Sequence, residues 1–514
     1  MNSESNQIAI APAPASTLPF DVLNHIFLYC IPTPPLECIQ PNNKIAPLLL
    51  CHVCSSWRQT ALAAPSLWSH LYIRLPILWG VIECPKPVIW QKRDFRHSME
   101  CLLFWMKNQG SIAPFIRIGF DKPVDNSKLS TFWLYEGDKG MALPSKILQF
   151  FVQYLSSAQY LDVGFFSQHL FKQDGDKRFK SECPNLHSLV MRYPDDDSDN
   201  EEEGGSEHES DTSDDGLHYI HDMRLVPPCV PPTVRRISIY QDKPPLESFN
   251  DWSNITHLSL QGTILSVSTW FTFIRGFPSL QWGNFNVAVL EEFFITAPAS
   301  MILHSLKTLS INVDTYSSIG IEYPLTFAFI NLELPAVESL ALRSEAEKWR
   351  HSKAIKDVNG VLKLAPAVKK LALGPEFIHG IRSNVKIFNK KHFEGEQPLS
   401  IIAPQLIHLE LDLCFDYEDI FDERDHFAER VVHWQDLFFS THWLDLSSPQ
   451  NTVRTVSIYP KQFAPYDPFT NPVPIRNAVR KAIEEYAKKA HNVEFRFLMW
   501  DDRETSPKGW KTWI

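Results

Sequence analysis

Pro335-Ala336-Val337-Glu338-Ser339-Leu340-Ala341-Leu342 is answered further along by Pro366-Ala367-Val368-Lys369-Lys370-Leu371-Ala372-Leu373. Both stretches set an apolar residue two positions after a proline and close on two alternating apolar residues. The closing alternation predicts a short strand with one buried face, and the proline marks the turn into it. The same phrase runs from Pro184 to Met191, Pro232 to Ile239, Ser253 to Leu260, His304 to Ile311, Pro404 to Leu411 and Asn451 to Ile458. Weaker copies sit at 115–120, 160–163 and 278–285.

Helix-like segments at 146–155, 269–275 and 435–444 lie between copies. A strand plus a helix cannot bury a core alone, so repeated units of this kind must stack into a solenoid. The pattern looks like a degenerate leucine-rich repeat, an α/β repeat fold with a parallel sheet on its concave side. Successive strong copies are about 21 to 51 residues apart, against about 20–29 in regular repeats of that family, which predicts an irregular, aromatic-rich solenoid. In that register Leu258, Leu309, Leu340, Leu371 and Leu409 take equivalent inward positions, while Ser259, Ser310 and Glu410 point outward to solvent. Near the C-terminus, Pro474 is expected to start a helix reaching about Ala490, followed by a strand from Val493 to Phe497. Together, residues 474–514 are expected to cap the solenoid.

Ahead of the repeats stands a different pattern. It reads Leu18-Pro19-Phe20-Asp21-Val22-Leu23-Asn24-His25-Ile26-Phe27, then Pro47-Leu48-Leu49-Leu50-Cys51-His52-Val53-Cys54-Ser55-Ser56-Trp57-Arg58, then Pro65-Ser66-Leu67-Trp68. Helical spacing of Val22, Leu23, Ile26 and Phe27 predicts one helix that stops before Pro32. A second helix is expected to carry Leu49, Leu50, Val53, Cys54 and Trp57 on one side, with Arg58 and Gln59 toward solvent. A short third element begins at Ser66. Three short helices cannot bury this much apolar surface alone, so a partner or neighbouring domain should cover part of it.

This string resembles an F-box, in the F-box-like form abundant in mushroom-forming fungi; the long proline-rich loop between the first two helices is typical of that form. The resemblance covers roughly a tenth of the chain. It implies a small three-helix module that docks on the Skp adaptor of a cullin ubiquitin ligase. It also implies that Leu18, Pro19, Ile26, Phe27, Val53, Cys54, Trp57 and Trp68 meet the adaptor. The resulting division is a disordered tail over 1–15, an F-box-like domain over 16–75 and the repeat region over 76–514.

Composition narrows the remaining choices. From Asp195 to Asp215 there are twelve acidic residues and no Lys or Arg, and leaving them out turns a net charge of −11 into about +1. The rest is nearly neutral and offers no broad basic surface for nucleic acid. Residues 195–216 read as a disordered acidic insertion. Within it Ser198, Ser206 and Thr212 each precede an acidic residue by three positions and are candidate phosphorylation sites. Nine scattered cysteines suit reduced thiols in cytosol or nucleus. No apolar run approaches the roughly 18 residues that span a bilayer, and Met1–Ser16 lacks the pattern of a signal peptide.

Cys51-His52-Val53-Cys54 has the spacing of a metal or redox pair, but no second pair stands at zinc-ribbon distance. Cys54 is better read as a core or adaptor contact, and neither metal nor cofactor is expected. No nucleophile elbow, Walker loop or His-Glu-x-x-His cluster is present, so the chain is not expected to be an enzyme. Two readings remain from the sequence: a receptor that brings a target protein to the ligase, or a repeat-type scaffold whose F-box recruits the adaptor outside any ligase.

Overall fold

A computed structural model of the chain describes residues 18–31, 43–75, 100, 103–120, 157–162, 183–192, 232–240, 252–289, 300–314, 323–344, 354–374, 397–413, 443–444, 446, 448–460, 484, 488, 490 and 492–497. The chain divides into two compact units, Met1–Ser248 and Phe249–Trp513.

In the first unit each copy of the phrase has become a strand: β2 (Phe115–Phe120), β3 (Tyr160–Asp162), β4 (Ser188–Arg192) and β5 (Arg236–Tyr240). They follow β1 (His70–Leu75), a strand inside the 16–75 stretch that the repeat phrase does not announce. Each strand lies parallel to the next one in the chain, from β1 through β5.

The second unit repeats the scheme. Its strands are β6 (His257–Ser266), β7 (Trp282–Ala288), β9 (Thr308–Asp314), β11 (Ser339–Ser344), β12 (Lys370–Leu373), β13 (His408–Leu413), β14 (Thr455–Pro460) and β15 (Glu494–Phe497). They pair in that order, all parallel. The short strands β8 (Met301–Ile302) and β10 (Leu332–Glu333) pair only with each other. Parallel strands need a crossover, and helices supply part of it. The helices α4 (Val267–Arg275), α5 (Pro324–Ala328), α6 (Ala354–Leu364) and α7 (Leu399–Ile402) lie between strands. The fold is α/β with parallel sheet, as expected. The helices expected at 146–155 and 474–490 fall almost wholly outside the described residues, as do the acidic insertion and residues 1–15. Of the helix expected at 435–444, only Trp443 and Leu444 are described, and they form a turn.

Register explains the phrase. Leu309 pairs across to Leu340, Leu340 to Leu371, Leu371 to Leu409 and Leu409 to Val456, and all five are buried. Between Leu258 and Leu309 the row passes through Gly283. The Phe285 ring occupies the room a side chain would need there: a Cβ on Gly283 would sit 2.5 Å from Phe285 Cε2. This local exchange of leucine for glycine plus phenylalanine is why the copy at 278–285 is weak.

The opposite face departs from expectation. Ser259, Ser310 and Glu410 alternate away from the leucines, yet their exposures are 0%, 1% and 8%. They stand in register with Asn284, Ala341, Ala372 and Ser457. Small side chains between rows of longer ones lose water on both flanks. Glu410 is tied down as well, with Oε1 2.8 Å from Lys370 Nζ. Alanine at 410 strands the Lys370 ammonium, and the expected cost is about 1–3 kcal/mol rather than the few tenths of a surface change. Thermal denaturation of the Glu410→Ala chain checks this.

Helix α6 hides two polar residues, Asp357 and Asn359, both buried. Asp357 accepts hydrogen bonds from the backbone N–H groups of Leu325 at 2.9 Å and Thr326 at 2.6 Å. These belong to the first turn of α5, where helix geometry leaves N–H groups without an internal partner. Asn359 Oδ1 accepts from the Trp443 indole at 2.8 Å. Gly360 is required beside them, because a Cβ there would collide with Thr326 Oγ1. Asp357→Asn keeps the shape but replaces one acceptor with a donor facing an N–H. It is expected to cost about 1–3 kcal/mol, seen as a lowered melting temperature.

Candidate protein-docking surface

The N-terminal module begins with α1 (Phe20–Tyr29), entered from an extended Pro19 with Asp21 in the first turn. An acidic residue there favours the positive end of the helix dipole. Leu23 and Phe27 face inward and are buried. Val22, Ile26 and Tyr29, at i, i+4 and i+7, make the opposite stripe and are 44%, 40% and 79% exposed.

One continuous second helix was expected, and two are found: α2 (Leu48–Val53) and α3 (Ser55–Leu62). The break is Cys54, extended at φ −159° and ψ 172°, whose Sγ accepts from Trp57 N at 3.5 Å. Cys54 therefore caps α3 and leaves α2 free to turn away. Arg58 is exposed as expected, but its Nε donates to the Cys51 carbonyl at 2.7 Å and closes the corner. On α2, Leu50 and Cys51 are buried. Leu49 and Val53 are exposed, and Ile45, one turn earlier, accepts from Leu49 N through its carbonyl and is exposed too.

The core holding these helices is aromatic. Phe27 meets the half-buried Trp57 at 5.0 Å between ring centroids. Trp68, in the 3-10 turn Pro65–Trp68, donates from Nε1 to the Ala61 carbonyl at 2.8 Å. Its ring is met edge-on by Phe104 at 5.5 Å and Trp105 at 5.1 Å.

The eight residues assigned to an adaptor contact thus separate. Leu18, Pro19, Ile26 and Val53 are exposed; Cys54 and Trp57 are half-buried; Phe27 and Trp68 are fully buried in the module's own core. Val22, Tyr29, Ile45 and Leu49 were not assigned, and the signal for them was the second apolar stripe at i, i+4 spacing. Burial raises the Cys51 thiol pKa, against a smaller lowering by Arg58. Among the described residues no group of three or more His, Cys, Asp or Glu is placed to hold a metal ion, and no helix is long and apolar enough to cross a membrane. Ser198, Ser206 and Thr212 lie outside the described residues.

The first unit's sheet carries a second feature. His70, Phe115 and Tyr160, in register on β1–β3, stack at 4.7 Å and then 5.7 Å. Beside them the Arg117 guanidinium lies 5.3 Å from the Tyr72 ring centroid and 3.4 Å from the buried Asp162 carboxylate. Burial pushes the His70 pKa down. A folded value below the unfolded one means that stability is held above the ordinary imidazole range and lost as pH falls through it. Replacing His70 with Phe is expected to remove that part of the acid sensitivity, read as a smaller loss of melting temperature on mild acidification.

No protein-family model matches the chain, and no curated protein is significantly similar to it.

Proposed function

We propose that this protein is the substrate-recognition subunit of an SCF-type ubiquitin ligase. The N-terminal module binds a Skp-type adaptor and, through it, a cullin; the strand region is a leucine-rich-repeat-like solenoid that binds the target protein. One observation carries the reading. Val22, Ile26, Tyr29, Leu49 and Val53 stand in solvent on a module whose core is already filled by Phe27 and Trp68. Apolar stripes left over once a core is complete mark a protein interface. Within each unit, the parallel pairing of successive strands supports the solenoid part.

The test is a titration of the full chain with a Skp-type adaptor. Ile26→Asp is expected to weaken binding by about thirtyfold or more, the scale of an interface hot spot, with little change in melting temperature because the side chain faces water. Full affinity in that variant would count against an F-box. Co-purification of adaptor together with cullin separates a ligase receptor from a scaffold that holds the adaptor alone.

A further inference from the structure

Away from the exposed stripes of the N-terminal module, the first unit holds an open cavity of about 490 Å³. That volume falls within the ordinary range of small-molecule sites, about 300–1,000 Å³. One wall is the helix over 103–109, where Leu103, Met106 and Lys107, at i, i+3 and i+4, share a face and line the space. Gly110, at φ 63°, ends that helix and turns the chain so that Ile112 meets the same space. Asn185, in the turn that leads into β4, lines it too.

Three features select what fits. Leu103, Met106 and Ile112 offer apolar walls. Gln109 is 5% exposed and borders the cavity from the core side. Its Nε2 donates to the Ile112 carbonyl, which leaves Oε1 as an acceptor with no donor among the described residues. Lys107 is exposed, is the one charged residue among those that line the cavity, and pairs with no described carboxylate.

We infer that this cavity binds an N-acyl amino acid unit with an apolar side chain. The side chain lies against Leu103, Met106 and Ile112, the amide N–H donates to Gln109 Oε1, and the carboxylate takes the Lys107 ammonium. Asn185 supplies an amide donor for the acyl carbonyl. A buried polar group left without its partner is costly, so Gln109 selects for a ligand that brings an N–H. The absence of any acidic residue from the described lining selects for an anion. A free N-acylated amino acid and the last residue of a protein present these same groups. The cavity shares no residue with the proposed adaptor surface, so the inference stands apart from the ligase reading.

N-Acetyl-L-leucine is titrated calorimetrically into the full chain to roughly 10 mM, the weak end expected of so small a ligand. Lys107→Glu is the decisive variant. Its position is exposed, so the melting temperature should hold while affinity falls by about tenfold or more, the ratio supported by a charge-assisted hydrogen bond. Uncharged N-acetyl-L-leucinamide should bind both chains equally and weakly. 4-Methylpentanoic acid, which lacks the N–H, should bind the wild type several-fold less tightly than N-acetyl-L-leucine does. If Lys107→Glu melts early, Leu103→Asp decides, since it sets a carboxylate on the apolar wall from an exposed position and should reject the same ligand. A pentapeptide ending in leucine separates the sources: tighter binding than the free compound assigns the site to a protein C-terminus, and equal or weaker binding assigns it to a free acylated amino acid. Absence of binding of both probes to the wild-type chain, or binding indifferent to both variants, overturns the inference.

Discussion

Trp68→Ala is expected to cost about 3–5 kcal/mol, the range for deleting a large aromatic side chain from a core. Trp68 has no exposure, so its whole ring is replaced by a cavity. Two edge-on partners, Phe104 and Trp105, lose their contact face, and such pairs contribute about 0.5–1.5 kcal/mol each beyond simple burial. The Ala61 carbonyl also loses its indole donor. The adaptor binding proposed above should disappear together with the near-ultraviolet signal of the packed tryptophans. Ile26→Asp should instead weaken that proposed binding and leave the signal intact. A Trp68→Ala chain that melts like the wild type would show that the module is held together by something other than this cluster.

The second large effect belongs to the leucine row. Leu340 is buried between Leu309 and Leu371, and truncating it to alanine is expected to cost about 2–5 kcal/mol. The neighbouring comparison is Lys369→Ala. Its ammonium lies 3.2 Å from Glu338, but both side chains are about half exposed, and exposed pairs of this kind contribute about 0–1 kcal/mol. Thermal melts of the two variants should differ by many degrees. Equal losses would mean that the strand register is wrong.

The strands of the repeat phrase were legible because two signals coincide there, alternation with a period of two and a turn residue a few positions ahead; β1, β8 and β10 lack that pair of signals and were not. That pair of signals places Leu309, Leu340, Leu371 and Leu409 in one row, and the strand pairing agrees. Which polar residues are wet was not legible. Ser310 and Asp357 are each surrounded by residues distant in sequence, and local pattern carries no record of them. The break at Cys54 was hidden for another reason: its apolar neighbours keep helical spacing on both sides, and only the backbone bonds to α3 reveal the stop. The candidate docking surface was half legible. On a helix, adjacent residues are about 100° apart, so Ile26 and Phe27 lie at opposite margins of one broad apolar stripe. The motif names both, and packing alone decides that Phe27 turns inward while Ile26 stays in water.

Strand order gives this chain unusual freedom to change length. Within each unit, a strand of the long parallel run bonds to the strands before and after it in that run, so a connection can grow, or hold a small pair such as β8 and β10, without altering who pairs with whom. Closing a longer connection is also cheap, since the entropy rises with the logarithm of its length; stretching a spacing from about 21 to about 51 residues costs only on the order of 1 kcal/mol. Insertions at these junctions are therefore expected to cost far less stability than truncations in the leucine row. A chain built this way can lose the periodicity of its sequence and keep the geometry of its strands.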